Sequence, residues 1–169
     1  MRKQLYLDIK NRLKTVETKR EEQLFQHFDL WNRQVEFMEQ ENPFECPAVF
    51  VEFGVMDWRT LGNRVQECTL TVRLHIVTEW HAGTADYSPT EQQALEFLDI
   101  IDNTVQTMQG FTTPYMNAWM RTRSITNHDH ERYVDNVEEY TCNLRDTSAV
   151  KTYVPVMAQP VIIAEISTE

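Results

Sequence analysis

The sequence predicts an α+β fold, in which a mostly antiparallel sheet of about five strands carries two main helices on one face. Residues 65–80, VQECTLTVRLHIVTEW, alternate apolar and polar side chains. This period of two indicates a strand with one buried and one wet face, as is typical of antiparallel sheets. Residues 2–18 and 88–108 instead repeat apolar side chains every three or four positions, as amphipathic helices do. The predicted order is therefore helix, strands, helix, strands.

The first helix is predicted to lie on the sheet. Its apolar stripe consists of Leu5, Ile9, Leu13 and Val16. Residues 24–31 follow as a predicted first strand, although a helical turn is the rival there because residues 32–41 are good helix formers. Residues 48–53, AVFVEF, are β-branched and aromatic enough for a central strand, and Gly54 is expected to end it.

The long strand at residues 65–80 completes a predicted central hairpin with residues 48–53. Residues 57–64 would form an elaborate loop between the two strands. About sixteen residues at roughly 3.3 Å each span on the order of 50 Å, far beyond the usual strand. We therefore expect the hairpin to protrude from its own domain and to pair with another subunit.

The second helix has the clearest start in the chain. Ser88 is a good N-cap, Pro89 suits the first helical position, and Glu91 lies three residues after the cap. Gly110 fits the position that ends the helix. Two further strands are predicted at residues 118–127 and 137–147, joined by a turn at residues 128–135.

A single domain is expected to span residues 1–169, with residues 150–169 as a C-terminal arm or an edge strand. The apolar run at residues 161–166 is the part of this tail that suits a strand, on this chain or against a neighbour. No apolar run approaches the roughly 20 residues that span a bilayer. The N-terminus interleaves charges with apolar residues, unlike a secretion signal. We expect a cytoplasmic protein without a membrane partner.

The net charge is −10 and is unevenly distributed, since residues 1–22 are net basic and the remainder is more acidic than the whole. A body this acidic repels phosphate, so wrapping nucleic acid is not expected. An acidic surface suits a channel through which DNA slides without sticking. Solubility is the simpler reason for such a charge.

Few residues in the sequence suggest a catalytic or metal-binding site. Cys46, Cys68 and Cys142 form no CxxC pair and are expected to be small buried hydrophobes. No Ser or Cys nucleophile lies in a recognisable elbow, and carboxylate pairs such as Glu138–Glu139 are expected to be solvated. We therefore predict no enzyme, no catalytic residue, no metal and no cofactor.

The one dense cluster of metal-binding residue types is His128, Asp129, His130 and Glu131. A solvated turn is its simpler interpretation, because spacing identifies no third ligand from elsewhere. A small metal-dependent enzyme centred on this turn remains the alternative from a different class.

Six side chains are candidates for a subunit interface. Tryptophans near strand ends are usually partly buried at core edges, but Trp58 and Trp80, in or beside loops, are also suited to anchor a contact. The full set is Trp58, Arg73, His75, Trp80, Arg121 and Arg123.

Several segments, taken in their order along the chain, resemble a known protein family. These segments are PFECPAVFVEFG, VQECTLTVRLHIV, SPTEQQALEFLDIIDNTV and MRTRSITNHDH followed by VEEYTCNLRDTSA. Together they resemble the tail-terminator proteins, also called minor tail or tail-completion proteins, of long-tailed bacteriophages and prophages. The run from Arg123 to His130 before the last long strand adds to the likeness.

The resemblance implies a homo-oligomeric ring, usually a hexamer, that caps the tail tube and joins it to the head connector. Its partners would be other copies of the chain, the tail tube protein and the connector, with DNA only as passing cargo. The protein would be located in the virion tail, or in the bacterial cytoplasm during assembly. Cyclic contacts would bury strand edges that are otherwise prone to aggregation. Another head–tail neck protein, or a non-viral adaptor that binds a basic partner, are the remaining alternatives.

Overall fold

The structure, a computed structural model, describes residues 1–17, 22–36, 44–127 and 132–151. Within these ranges, five strands form one sheet in the order β1-β2-β3-β5-β4. The elements are α1 (Arg2–Leu13), β1 (His27–Leu30), β2 (Ala48–Gly62), β3 (Val65–Glu79), α2 (Glu91–Ala94), α3 (Glu96–Met108), β4 (Met120–Asn127) and β5 (Tyr133–Asp146). The predicted α+β class is confirmed.

Strand β3 is the centre of the sheet. It pairs antiparallel with β2 on one side and, from Gln66 to Glu79, with β5 on the other. The outer strands are shorter: β1 runs parallel to β2 but covers only Ala48 to Val51. Strand β4 covers β5 only as far as Thr141. The sheet therefore has a wide end, and it narrows to β2, β3 and β5 towards the turn of the hairpin, which we call the narrow end.

The hairpin is tighter than the sequence suggested. Strand β2 continues through Gly54 to Gly62, so the predicted end at Gly54 and the elaborate loop are both wrong. Gly54 lies instead in a bulge, where a Cβ would come within 3.2 Å of Thr71. Only Asn63 and Arg64 connect the strands, with φ of 46° and 62°. Two left-handed residues match the right-handed twist of paired strands, which makes a two-residue turn sufficient.

The main core lies between one face of the sheet and the helices. The inward-facing residues of β3 predicted by alternation are all buried in it: Cys68, Leu70, Val72, Leu74 and Ile76. Leu5, Ile9 and Leu13 of α1 and Met108 of α3 pack into the same core. Both helices therefore lie on one face, as predicted.

The helices are shorter than their apolar patterns. Helix α1 ends at Leu13 and not at residue 18, because Thr15 and Val16 donate tighter hydrogen bonds to carbonyls three residues back. Val16 still reaches the core. The region predicted as one helix from residue 88 is divided at Leu95 into α2 and α3. Gly110, with φ of 77°, follows the end of α3 as expected.

The opposite face of the sheet carries a second, smaller core at the wide end. Val35, Ala48, Phe50 and Val77 are buried there, with Trp31, Phe44 and Tyr133 against them. The predicted first strand is present as β1, and residues 32–36 after it are not helical. The second face of the sheet is therefore only partly exposed to solvent, because the residues on either side of 37–43 cover its wide end.

Several expectations concern residues outside the described ranges. These are the His128–Glu131 cluster, the rest of the rival helix at residues 37–41, and the tail strand at residues 161–166. No helix among the described residues is long and apolar enough to cross a membrane.

The packing of α1 against the sheet is testable with two substitutions on the same helix. Ile9 is fully buried, whereas Leu7 is 36% exposed. Ile9→Ala should lower the free energy of unfolding by about 2–5 kcal/mol, because it leaves a cavity under the helix. Leu7→Ala should change it by about 0.5 kcal/mol or less. Urea unfolding measures both, and equal losses for the two variants would contradict this packing.

Candidate subunit interface

Five ionisable side chains meet on the second face of the sheet, next to the smaller core. We call Glu52, Arg73, His75, Asp135 and Glu139 the polar network. Strand register places them together, since Glu52 lies opposite Arg73 on β2 and β3, and Arg73 lies opposite Glu139 on β5. Three carboxylates therefore surround one guanidinium and one imidazole.

Arg73 joins the strands on either side of it. Its Nε donates to Glu139 at 2.9 Å, and its Nη1 donates to Glu52 at 3.2 Å. These two hydrogen-bonded carboxylates, Glu139 first, raise the pKa of the guanidinium above its ordinary value. The Arg73 side chain is 40% exposed, so this end of the network meets solvent and its ion pairs are screened.

His75 forms the buried end of the network. Its Nδ1 lies 3.1 Å from Asp135 Oδ2, and its Nε2 lies 3.3 Å from Glu52 Oε2. A neutral imidazole can donate only one of these two hydrogen bonds. The ring of Trp31 stacks on the imidazole at 3.7 Å between ring centroids, with 6° between the planes. Only 6% of His75 remains exposed.

The surroundings of His75 fit a structural role better than a catalytic one. A general base has to reach a proton on its substrate. Both ring nitrogens of His75 already face carboxylates, and Trp31 covers a face of the ring. The network therefore ties three strands to the segment after β1.

Among the described residues, the sheet has two open edges on opposite sides. The β4 edge is Met120–Asn127, a strand that pairs only with β5 in those residues and whose first seven residues are all exposed. The β2 edge is residues 56–62, which pair only with β3 in the described part of the chain. Unpaired strand edges present rows of backbone donors and acceptors and are templates for another strand.

The β4 edge carries two arginines on opposite faces. Arg121 shares the helix-bearing face with Glu138 and lies 3.5 Å from it. Arg123 faces the other way, opposite Glu139, and makes no side-chain hydrogen bond or ion pair within the described ranges. No acidic residue lies in this strand, so the β4 edge is basic on an otherwise acidic protein.

The six predicted interface residues fall into different environments. Arg121 and Arg123 lie on the β4 edge, and Trp58 lies on the β2 edge with its ring partly buried against the main core. Arg73 and His75 lie in the polar network on the central strand, where His75 is buried. Trp80 follows β3, is 39% exposed, and its ring lies 6.3 Å from that of Phe97. The structure thus places Trp58 and Arg123 on opposite open edges of one sheet.

Sequence reasoning missed most of the polar network. Trp31, Glu52 and Asp135 were not candidates, and the expectation that Glu138–Glu139 are solvated is wrong. Glu138 is 3% exposed and accepts a hydrogen bond from Ser124 at 2.6 Å. The available signal was the presence of Arg73 and His75 in a predicted central strand, since charged and polar side chains there require hydrogen-bond partners.

The cysteines and possible metal ligands suggest no reactive centre in the described ranges. Cys68 and Cys142 are buried as expected, while Cys46 is partly exposed. Burial raises the pKa of the Cys142 thiol to about 12 and, with the charge of Glu79, that of Cys46 to about 12 as well. No group of three or more His, Cys, Asp or Glu side chains in those ranges is placed to hold a metal ion.

No protein-family model matches the chain, and no curated protein matches it.

A double-mutant cycle tests the buried half of the polar network. His75→Leu leaves Asp135 without its buried partner and should cost about 3 kcal/mol of unfolding free energy. Adding Asp135→Asn should recover part of this loss, giving a coupling of about 1–3 kcal/mol. The exposed pair Arg59–Glu67 is the control, with a coupling of about 1 kcal/mol or less. Additive losses at His75 and Asp135 would show that the two side chains do not interact.

Thiol labelling tests the protection of Cys142. With a pKa of about 12 instead of 9.0, its thiolate fraction at pH 8 is about a thousandfold lower than that of an ordinary thiol. Iodoacetamide should therefore modify Cys142 in urea but not in the folded protein, as read by peptide mass spectrometry. Modification at the same rate in both states would contradict the burial.

Proposed function

We propose that the protein is a structural component of a long-tailed phage or prophage, and that it assembles into a ring that terminates the tail tube and joins it to the head connector. The proposal rests on the resemblance of the sequence segments to the tail-terminator family. One observation supports it: in the described part of the chain, a single sheet leaves two open edges on opposite sides, β4 and residues 56–62 of β2.

Opposite edges favour a head-to-tail contact. A two-fold dimer uses the same patch on both partners, whereas a contact between different patches repeats around a ring when the rotation closes. The β4 edge of one copy and the β2 edge of the next are different patches of the same kind. Pairing them would satisfy backbone groups that are otherwise available to any exposed strand.

Charge supports the same orientation. The β4 edge presents Arg123 without an ion-pair partner in the described ranges, and the β2 edge contributes the exposed Asp57. Opposite charges across a contact guide association and fix its register. The net charge of −10 would also suit a ring through whose opening DNA passes.

Charge reversal at the β4 edge tests the ring. Arg123→Glu should weaken self-association by about tenfold or more, because it places an acid beside Asp57 of the next copy. Lys3→Glu makes the same charge change on an exposed position of α1 and should leave association unchanged. Sedimentation velocity and native mass spectrometry give the stoichiometry, and negative-stain imaging with tail tubes shows whether the protein caps them.

Two outcomes would overturn the proposal. One is a wild-type protein that stays monomeric at high concentration and also fails to bind tail tubes. The other is assembly in which Arg123→Glu and Lys3→Glu both behave as wild type, which would place the contact elsewhere and remove the open edges as its basis.

A further inference from the structure

A cavity of about 180 Å³ lies at the wide end of the sheet, where β3 ends. Three parts of the chain line it: the end of β3 at Thr78 and Glu79, Cys46 and Pro47 before β2, and the helices α2 and α3. Sites for drug-sized ligands are usually about 300–1,000 Å³. This cavity is therefore suited to a ligand of only a few atoms, or to one side chain of a larger partner.

Thr78 brings an unpaired polar group to the lining. It is 3% exposed, and its Oγ1 has no hydrogen-bond partner in the part of the chain that the structure describes. Side chains alternate along β3, so Thr78 lies on the same face as Leu74 and Ile76, towards the helices. Buried hydroxyls are nearly always hydrogen-bonded, because an unmade bond costs free energy. An unpaired hydroxyl beside a cavity therefore indicates a polar ligand.

The charge of the lining favours a cation. Glu79 and Glu96 contribute carboxylates, and no lysine or arginine among the described residues lines the cavity. Arg132 lies 3.3 Å from Glu79, but its side chain is 74% exposed, so solvent screens this pair. His81, which also lines the cavity, is exposed. Burial, followed by the charge of Glu79, raises the pKa of the Cys46 thiol to about 12, which agrees with a negative potential here.

The apolar part of the lining favours an organic cation over a metal ion. Phe97 and Ile100 of α3 line the cavity and are only partly buried. An aromatic ring attracts a cation placed over its face, and an aliphatic wall accepts methylene groups. No group of three or more His, Cys, Asp or Glu side chains in the described ranges is placed to hold a metal ion. These features fit an ammonium group on a short alkyl stem.

We propose that this cavity binds a primary alkylammonium group, with the ammonium near the Thr78 hydroxyl and the Glu96 carboxylate and the alkyl stem against Phe97 and Ile100. An ammonium has three donors, which the hydroxyl and carboxylate oxygens can accept. A free amine and a lysine side chain of a partner protein both supply this group. The site does not require the ring.

Three probes of equal chain length separate charge from fit. n-Butylammonium, 1-butanol and butyrate differ only in the group at the end of the chain. Titration calorimetry and saturation-transfer NMR at low salt measure their affinity for the full-length protein. n-Butylammonium should bind about tenfold or more tightly than the other two, because its charge is opposite to that of the lining. Equal affinities, or no binding of n-butylammonium, would overturn the proposal.

Substitutions locate the site. Glu96→Gln should weaken n-butylammonium binding by about threefold to tenfold, because it removes one carboxylate from the lining. Asp102→Asn makes the same charge change at an exposed position of α3 outside the lining and is the matched control. Thr78→Val keeps the side-chain shape without the hydroxyl and should weaken binding by about threefold or more.

Glu96→Gln decides the location even if Thr78→Val fails to fold, because Glu96 is exposed. Unchanged affinity in Glu96→Gln, or an equal loss in Asp102→Asn, would overturn the assignment to this cavity.

A lysine derivative identifies the source of the ammonium group. Nα-acetyl-lysine methylamide that binds as tightly as n-butylammonium supports the site and assigns it to a lysine side chain of a partner. Weaker binding of the derivative, with n-butylammonium still bound, supports the site and assigns it to a free amine. Assembly is measured separately by sedimentation velocity, so failure of this site and failure of the ring remain distinguishable.

Discussion

The double pairing of β3 is the constraint on which the rest of the structure depends. Because β3 is flanked by β2 and β5 over nearly its whole length, its backbone groups are satisfied and its two faces must find separate partners. One face is apolar and takes both helices. The other carries Arg73 and His75, whose charge and polarity in a central strand require carboxylates within reach. The neighbouring strands supply these as Glu52, Asp135 and Glu139.

The polar network explains why the wide end of the sheet is closed on both faces. Trp31 lies directly after β1 and stacks on His75, so the segment that leaves the parallel strand is held over the network. Phe44 and Phe50 pack edge to face with ring centroids 5.0 Å apart and complete the smaller core beside it. A parallel strand of four residues has little stability of its own. Its position therefore depends on the aromatic and ionic contacts made by the chain that follows it.

The parts of the fold that follow from local periodicity were predictable, and the parts that follow from register were not. Alternation assigned the buried face of β3. Gly110 marked the end of the second helical region, but the predicted cap at Ser88 was wrong, because α2 begins at Glu91 and α3 at Glu96. The continuation of β2 through Gly54 was missed because a glycine beside Thr71 marks a bulge, which resembles a strand end in sequence. The turn at Asn63–Arg64 was missed because it lacks the usual Asn-Gly pair. The network joins positions 52, 73 and 139, which only the register of three strands brings together.

The two ends of the sheet therefore differ in how well they can accept an additional strand. At the wide end, five strands, two cores and the network pack together, so this end suits a rigid support. At the narrow end, β2 pairs only with β3 among the described residues, so the outer side of β2 is open there. A segment or subunit that adds to β2 there gains backbone hydrogen bonds without disturbing either core. In the proposed ring, this edge is therefore where a neighbouring copy is added at the lowest cost in stability.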